Sequence, residues 1–513
     1  MKSCNYGRLL ITLFLLLTMA LVACGPDAEG ENDNEADQQN SSDNNSVTVA
    51  IEGDIQNFNP YTNQTVDYLI IRHNVFEPLI KFDASMELVP NLAIEWTQES
   101  DLKYTFTLRE DVTFQNGQEF SGEDVKYSIE MIQDKNNASY FAPFFQEITD
   151  VEVNGNELTI ELANPSPALL NNLASLPIIA EGTMDDLDSN PIGTGPFKFE
   201  SWSAGDKTVL TRNENYWNGE TTNIEELIIR PIDDSAVRYN NLTSGTIDII
   251  NSLSPSQMTK LEEEDNYYLL EPSSSNETAL VEVVIKNNEA FKNPLVMQAL
   301  THALDKEVIN ENIYQGYGSV LWSPFPSNNF AYKPGKEYPF DLDKARSLLE
   351  EAGYSSGLSF TLILPSGMAQ LEQIAVMWQA NLSEIGVDME IEVMELNNWV
   401  NKYLERSYEM TLNFYPQAGS DPSIYTNMIL KPLVEKSLDD PSEMLDLIDR
   451  GATTTDEKER EKIYAEIQDM VSENGVIIPI LETPIAAGVS NRISDLEIFP
   501  TSVLYLGNAK IKE

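Results

Sequence analysis

Basic residues are scarce in this sequence. Its 513 residues hold 32 Lys and Arg against 83 Asp and Glu, a formal net charge of −51 at pH 7. Nucleic acid needs a basic face for its phosphates, so that class of partner is excluded. An acidic surface of this kind fits an exported chain kept soluble by its own charge. Cysteine is nearly absent: Cys4 and Cys24 are the two present. No disulfide framework can form beyond position 24, so stability must come from apolar cores, and the length suffices for two or three. Histidine is as rare, and His73 and His302 stand far apart. With no His pair and no usable thiol, directly ligated zinc or nickel is not expected. No G-x-x-x-x-G-K-[ST] phosphate loop and no G-x-S-x-G elbow occurs. IGTGPF has Gly193 and Gly195 but lacks the third glycine of a dinucleotide fingerprint. No catalytic residue, metal site or cofactor is therefore expected. A carboxylate-only extracellular hydrolase is the enzyme class left open, because 83 acids permit many pairings.

Long apolar runs are also missing, with one exception. LLITLFLLLTMALVA (residues 9–23) follows Lys2 and Arg8. It is short for a membrane span and has the shape of a secretory signal peptide, expected to cover residues 1–23. The Leu-Val-Ala-Cys at residues 21–24 resembles the lipobox of bacterial lipoproteins. That resemblance implies cleavage before Cys24 and acylation of its sulfur and new amino group, a stable anchor to the membrane. Residues 25–46 carry acids, no Lys or Arg, and little that is apolar. Such a segment cannot bury surface to offset ordering entropy and reads as a tether. The folded part should begin at about Val47.

From there strand and helix signals alternate. SVTVAIEG places Val47, Val49 and Ile51 on one strand face, and KYTFTLRED does so with Tyr104, Phe106 and Leu108. Ser121 and Asp124 have capping-box spacing. Pro294 opens a helical run in which Leu300, Ala303, Leu304 and Val308 recur. Asp341 can cap DKARSLLEEA, which Gly353 closes. LEQIAVMWQANLSEIG reads as a helix leading to the strand VDMEIEV, and EREKIYAEIQDMV as a helix leading to VIIPIL. The pattern is that of an α/β protein with more than one lobe. Turn-rich breaks lie at residues 185–196 and 271–278.

Four ordered segments then carry a family resemblance: FEPLIKFD…DVKYSIE (76–130), NPIGTGPFKFESW…NYWNG (190–219), FKNPLVMQALTHALDKEVI…GYG (291–318) and FDLDKARSLLEEAGY (340–354). Together they resemble the peptide/nickel-type solute-binding proteins of ATP-binding-cassette (ABC) importers, bacterial extracellular solute-binding family 5. The resemblance runs from about Val47 to the C-terminus. It implies a class II periplasmic-binding-protein-like α/β fold of three domains, in two lobes that close by a hinge over the ligand. Domain I would take residues 47–72, 185–275 and 482–513, domain II 73–184, and domain III 276–481. It also implies a monomeric, extracytoplasmic lipoprotein, on the outer face of the cytoplasmic membrane or in a periplasm. Such a receptor delivers a di- or oligopeptide, or a related small solute, to permease subunits. A nickel or metal-chelate receptor of the same family is the alternative.

The same resemblance points to ligand-binding residues. Peptide binders of the family read about GWxADYxDP in domain III, and the first Asp pairs with the peptide amino terminus by a charge-assisted bond. In YPQAGSDPSIY, aligned on Asp421-Pro422, Tyr415 falls at the Trp and Ala418 at that Asp. The nickel branch reads close to GAPYDPH, which puts Ser423 at its histidine. Its chelate-holding arginines have no counterpart at residues 136–141 or around 176–180. Trp399 matches a Trp that lines oligopeptide pockets. Tyr61, Tyr68 and Leu69 are candidates from the N-terminal region. Asp421 is expected either to meet the ligand or to shape the turn.

Overall fold

The computed structural model describes residues 45–416 and 421–512. The signal-peptide reading, Cys24, most of the expected tether and Ala418 lie outside the described residues. Among the described residues no helix is long and apolar enough to cross a membrane.

Three larger sheets organise the chain. In a seven-stranded sheet, Ser46–Ile51 lies between Glu226–Pro231 and Ile249–Ile250, parallel to both. A central parallel strand is covered on both faces, and Val47, Val49, Ala50 and Ile51 are all buried. A four-stranded sheet is formed by Ala93–Ser100, Lys103–Leu108, Glu157–Leu162 and Ile148–Asn154. Tyr104, Phe106 and Leu108 point to its core face, as their alternation predicts. These two sheets share one apolar cluster, running from Val47 through Phe106 and Leu173 to Leu504. The third sheet has six strands, with Glu277–Val283 between Met410–Pro416 and Ile477–Glu482. Its own cluster includes Trp378, fully buried, whose indole N–H donates to the Leu300 carbonyl at 3.1 Å.

Helix ends follow the capping residues. Ser121 and Asp124 form a reciprocal capping box at Gly122–Gln133. Asp341 caps Leu342–Glu351, and Gly353 takes φ 89° beyond the C-cap. One expectation needs correction. The run after Pro294 is two helices, Pro294–His302 and Lys306–Tyr314. Asp305 breaks it, because its carboxylate accepts from the Val308 amide and starts a new helix.

The glycines of IGTGPF serve close packing. A Cβ on Gly193 would lie 2.1 Å from the Val75 carbonyl oxygen, and one on Gly195 2.7 Å from that of Asn74. Gln115 fastens the approach, its Nε2 donating to the carbonyls of Val75, Gly195 and Phe197.

The chain passes between the seven- and six-stranded sheets twice, at residues 271–276 and 483–486. The Thr483 amide donates to the Glu277 carbonyl at 3.0 Å, which ties the two crossings together. The Asn276 amide donates to the Pro500 carbonyl at 3.0 Å.

Candidate functional site

A cavity of about 340 Å³ opens beside the helix Val66–Val75. Leu69, Arg72 and His73 line it from that helix, at helical spacing i, i+3 and i+4, and Phe76 from the C-cap. Phe82 and Met86 add apolar wall, and Phe499, Thr501 and Tyr505 close it from the C-terminal segment. A mostly apolar cavity with a few convergent polar groups is the ordinary form of a small-molecule site.

Two cations face it. Arg72 is buried, its Nη1 donates to Gln64 Oε1 at 2.8 Å, and burial draws its guanidinium down to about 10. Among the described residues no carboxylate lies within ion-pair distance of Arg72. Its neighbours are the Phe141 ring, 5.8 Å away, and the phenols of Tyr68 and Tyr140. The second cation, Lys81, lies 5.7 Å from the Tyr505 ring centroid. His73 is held neutral: burial first, then the Arg72 charge, push it down to about 3. Its Nδ1 sits 3.0 Å from the Leu69 carbonyl, so that nitrogen carries the proton and donates. Glu77 is buried and its carboxyl is pushed up by burial. Trp217, Thr194 and Tyr216 donate to it at 2.7, 2.9 and 2.9 Å. Glu77 therefore knits backbone segments together and is not spare for a ligand.

The loop singled out by sequence starts close by along the chain. Pro416 pairs with Glu277, the next residue back is Asn276, and Asn276 reaches Pro500 between the cavity residues Phe499 and Thr501. On the far side of the loop, Asp421 is buried. Its Oδ1 accepts from the Ser423 amide at 2.9 Å, from Ser423 Oγ at 2.6 Å and from Arg460 Nη2 at 2.8 Å. Asp421 caps the short helix Pro422–Tyr425, and Ser423 is spent on the same turn. A π-helical turn, Thr426–Leu430, follows directly.

The other sequence candidates are placed as follows. Leu69 lines the cavity. Tyr61 and Tyr68 do not: both are fully buried, and their hydroxyls donate to the carbonyls of Pro177 and Phe58. Trp399 sits in the core of the six-stranded lobe. Its indole N–H donates to Thr411 Oγ1 at 3.0 Å and its ring stacks on Tyr403 at 4.9 Å. Tyr415 is buried too, its hydroxyl bonded to Tyr403 and Glu282. Glu282 is wholly buried and also meets Arg406 at 3.0 Å and Tyr408 at 3.0 Å. Sequence reasoning missed Arg72, His73, Phe499 and Thr501. A signal existed for two of them, since Arg72 and His73 interrupt the apolar stripe of a helix next to Leu69. Among the described residues no cluster of His, Cys, Asp and Glu could hold a metal ion.

Comparison with known proteins gives the family. The model for bacterial extracellular solute-binding proteins, family 5, matches residues 87–435. Heme-binding protein A of Haemophilus influenzae is 27% identical, over 93% of this chain and 94% of its own length. The structure of NikA from Brucella suis in complex with Fe(III)-EDTA superposes with a TM-score of 0.83 at 25% identity, covering 91% of this chain and 100% of that one. A dipeptide binding protein from Pseudoalteromonas sp. SM9913 in complex with Met-Leu gives 0.77 at 23% identity, over 91% and 100%. The fold is therefore that of the periplasmic binding proteins, and such relatives are solute-binding proteins rather than enzymes. The chain belongs to the bacterial extracellular solute-binding proteins of family 5, the receptors of ABC importers, and works outside the cytoplasm.

Proposed function

We propose that this receptor captures a small solute bearing a carboxylate, a short peptide in the first place, in the cavity beside Val66–Val75. One observation carries the reading: Arg72 is a buried cation without a carboxylate in ion-pair distance among the described residues, set with Lys81 in the wall of a mostly apolar cavity that Asp83 and Glu497 also line. Burying an unpaired charge costs several kcal/mol, and an incoming carboxylate on a fork of guanidinium donors offsets it. Apolar walls around that anchor leave the rest of the solute loosely specified. A relative that holds Met-Leu supports the peptide class. A metal chelate with free carboxylates presents the same group, and the relative that holds Fe(III)-EDTA supports it as the second reading.

The three-domain partition at 47–72, 185–275 and 482–513, at 73–184, and at 276–481 is part of the proposal. Its lobes would close about the crossings at 271–276 and 483–486, and closure would present the loaded form to the permease. Anchoring through acylated Cys24, and a monomeric state, complete it. Calorimetry with Met-Leu and its C-terminal amide tests the carboxylate, alongside Arg72→Gln. The free dipeptide should bind at least about tenfold tighter than the amide, a difference of about 1.4 kcal/mol, and Arg72→Gln should abolish that preference. Equal affinity of dipeptide and amide would refute the role of Arg72. A mass shift that requires nickel and histidine together, with none for the dipeptide, would select the chelate.

A further inference from the structure

A second cavity lies in the six-stranded lobe, apart from the cavity beside Val66–Val75. It encloses about 120 Å³ and is lined by Met297, Lys306, Trp322, Val471 and Ile477, among others. Lys306 is 1% exposed. Its Nζ donates to the Leu321 carbonyl at 3.0 Å and lies 3.5 Å from the centroid of the Trp322 ring. Among the described residues no carboxylate stands within ion-pair distance, and the acid that acts on it is the exposed Glu307 next in the chain. Lys306 is also the first residue of the helix Lys306–Tyr314, where the helix dipole opposes a cation. A lysine is almost never buried unpaired.

The other charges in the lining balance, two lysines against two acids. Lys333 is paired with Asp469 at 2.6 Å, and Lys336 lies 5.0 Å from the Tyr338 ring centroid. Glu473, exposed at the rim, is the other acid. Three lysines therefore meet two acids around one cavity, in a chain whose net charge is −51. The other walls are mainly apolar, with Gln298, Thr301, Gln468 and Ser472 among them, and the volume approaches the roughly 150 Å³ that admits a benzene ring.

We propose that this cavity binds a small carboxylate with a compact apolar body, the carboxylate on Lys306 Nζ and the body against Met297, Trp322 and Ile477. The arriving anion supplies the partner that Lys306 lacks. Burial pushes the free amine well below the ordinary lysine range, so the anion favours the protonated form and binding weakens as pH rises.

Calorimetry of the full chain with sodium benzoate, and with neutral benzamide, tests this without any substitution. Benzoate should bind at least about tenfold tighter than benzamide, more weakly at pH 9 than at pH 6. Hydrogen exchange should show benzoate protecting Lys306–Tyr314. Lys306→Met should erase the preference for benzoate. Equal affinity of the two probes, no benzoate binding in the millimolar range, or protection at Val66–Val75 instead would each overturn the proposal. The last result would place the probe in the cavity of Arg72, so failure here and failure of the proposed function are told apart.

Discussion

Replacing Arg406 by Met isolates the cost of the most deeply buried ion pair described. Glu282 has a side-chain exposure of 0% and Arg406 of 4%. Burial pushes the Glu282 carboxyl up, while the Arg406 charge and the hydroxyls of Tyr415, Tyr403 and Tyr408 pull against it. Met fills much of the space of Arg but removes the charge. The carboxylate then has an escape, since it can take up a proton. At pH 7 that escape caps its penalty at about 3.7 kcal/mol, from an ordinary carboxyl value near 4.3 at about 1.36 kcal/mol per pH step. At pH 5 the cap is about 1 kcal/mol by the same arithmetic. The sign follows from linkage. The folded variant keeps a proton that the unfolded chain releases above about 4.3, so its stability falls as pH rises. Two lobes need not unfold together, so a local probe is required. Hydrogen exchange of Glu277–Val283 and Met410–Pro416 reports the opening free energy of this sheet. The loss relative to the unsubstituted chain should approach 3 kcal/mol at pH 7 and shrink toward 1 at pH 5. A loss equal at both pH values, or larger at pH 5, would refute the account of Glu282 as an uncompensated acid.

Two further outcomes are expected. His73 is pushed down to about 3, so the folded state refuses a proton that the unfolded chain accepts below about 6.5, and stability is lost as pH falls from there. His73→Asn keeps a donor near the Leu69 carbonyl and should remove about 1 to 2 kcal/mol of the loss between pH 7 and pH 5. Thermal unfolding at both pH values checks it, and an unchanged pH dependence would exclude His73 as the sensor. Asp421→Asn leaves Arg460 buried without its counter-charge, and should cost about 3 kcal/mol of stability in the six-stranded lobe. The affinity of the folded fraction should change little, and a loss of affinity without loss of stability would return Asp421 to the ligand.

Local signals in the sequence held because they act over a few residues. Strand alternation at Val47–Val49–Ile51, the Ser121–Asp124 capping box and the Asp341 cap all depend on neighbours within one turn or one pleat. The break after His302 failed for a local reason too: the apolar period passed over Asp305, whose capping chemistry outweighed it. The family segments placed the chain among solute-binding proteins, because ordered motifs over nearly the whole length carry that information.

Other features lay beyond the reach of the sequence by itself. Asp421 meets Arg460 across 39 positions, and Glu282 meets Arg406 across 124. Trp399 had the right residue type for a pocket wall, but Thr411 and Tyr403 take it into the core. Arg72 is an ordinary surface residue by composition. Only the tertiary packing of Val66–Val75, with Gln64, Phe141 and Tyr140 around the guanidinium, strips it of water and leaves it facing a cavity. Burial is a property of what lies opposite a side chain, and what lies opposite is set by contacts far apart in the sequence. The amino-acid sequence therefore determined the elements, their caps and the family. Tertiary structure decided which charges are paired within the protein and which, like Arg72 and Lys306, are buried with no carboxylate in ion-pair distance among the described residues.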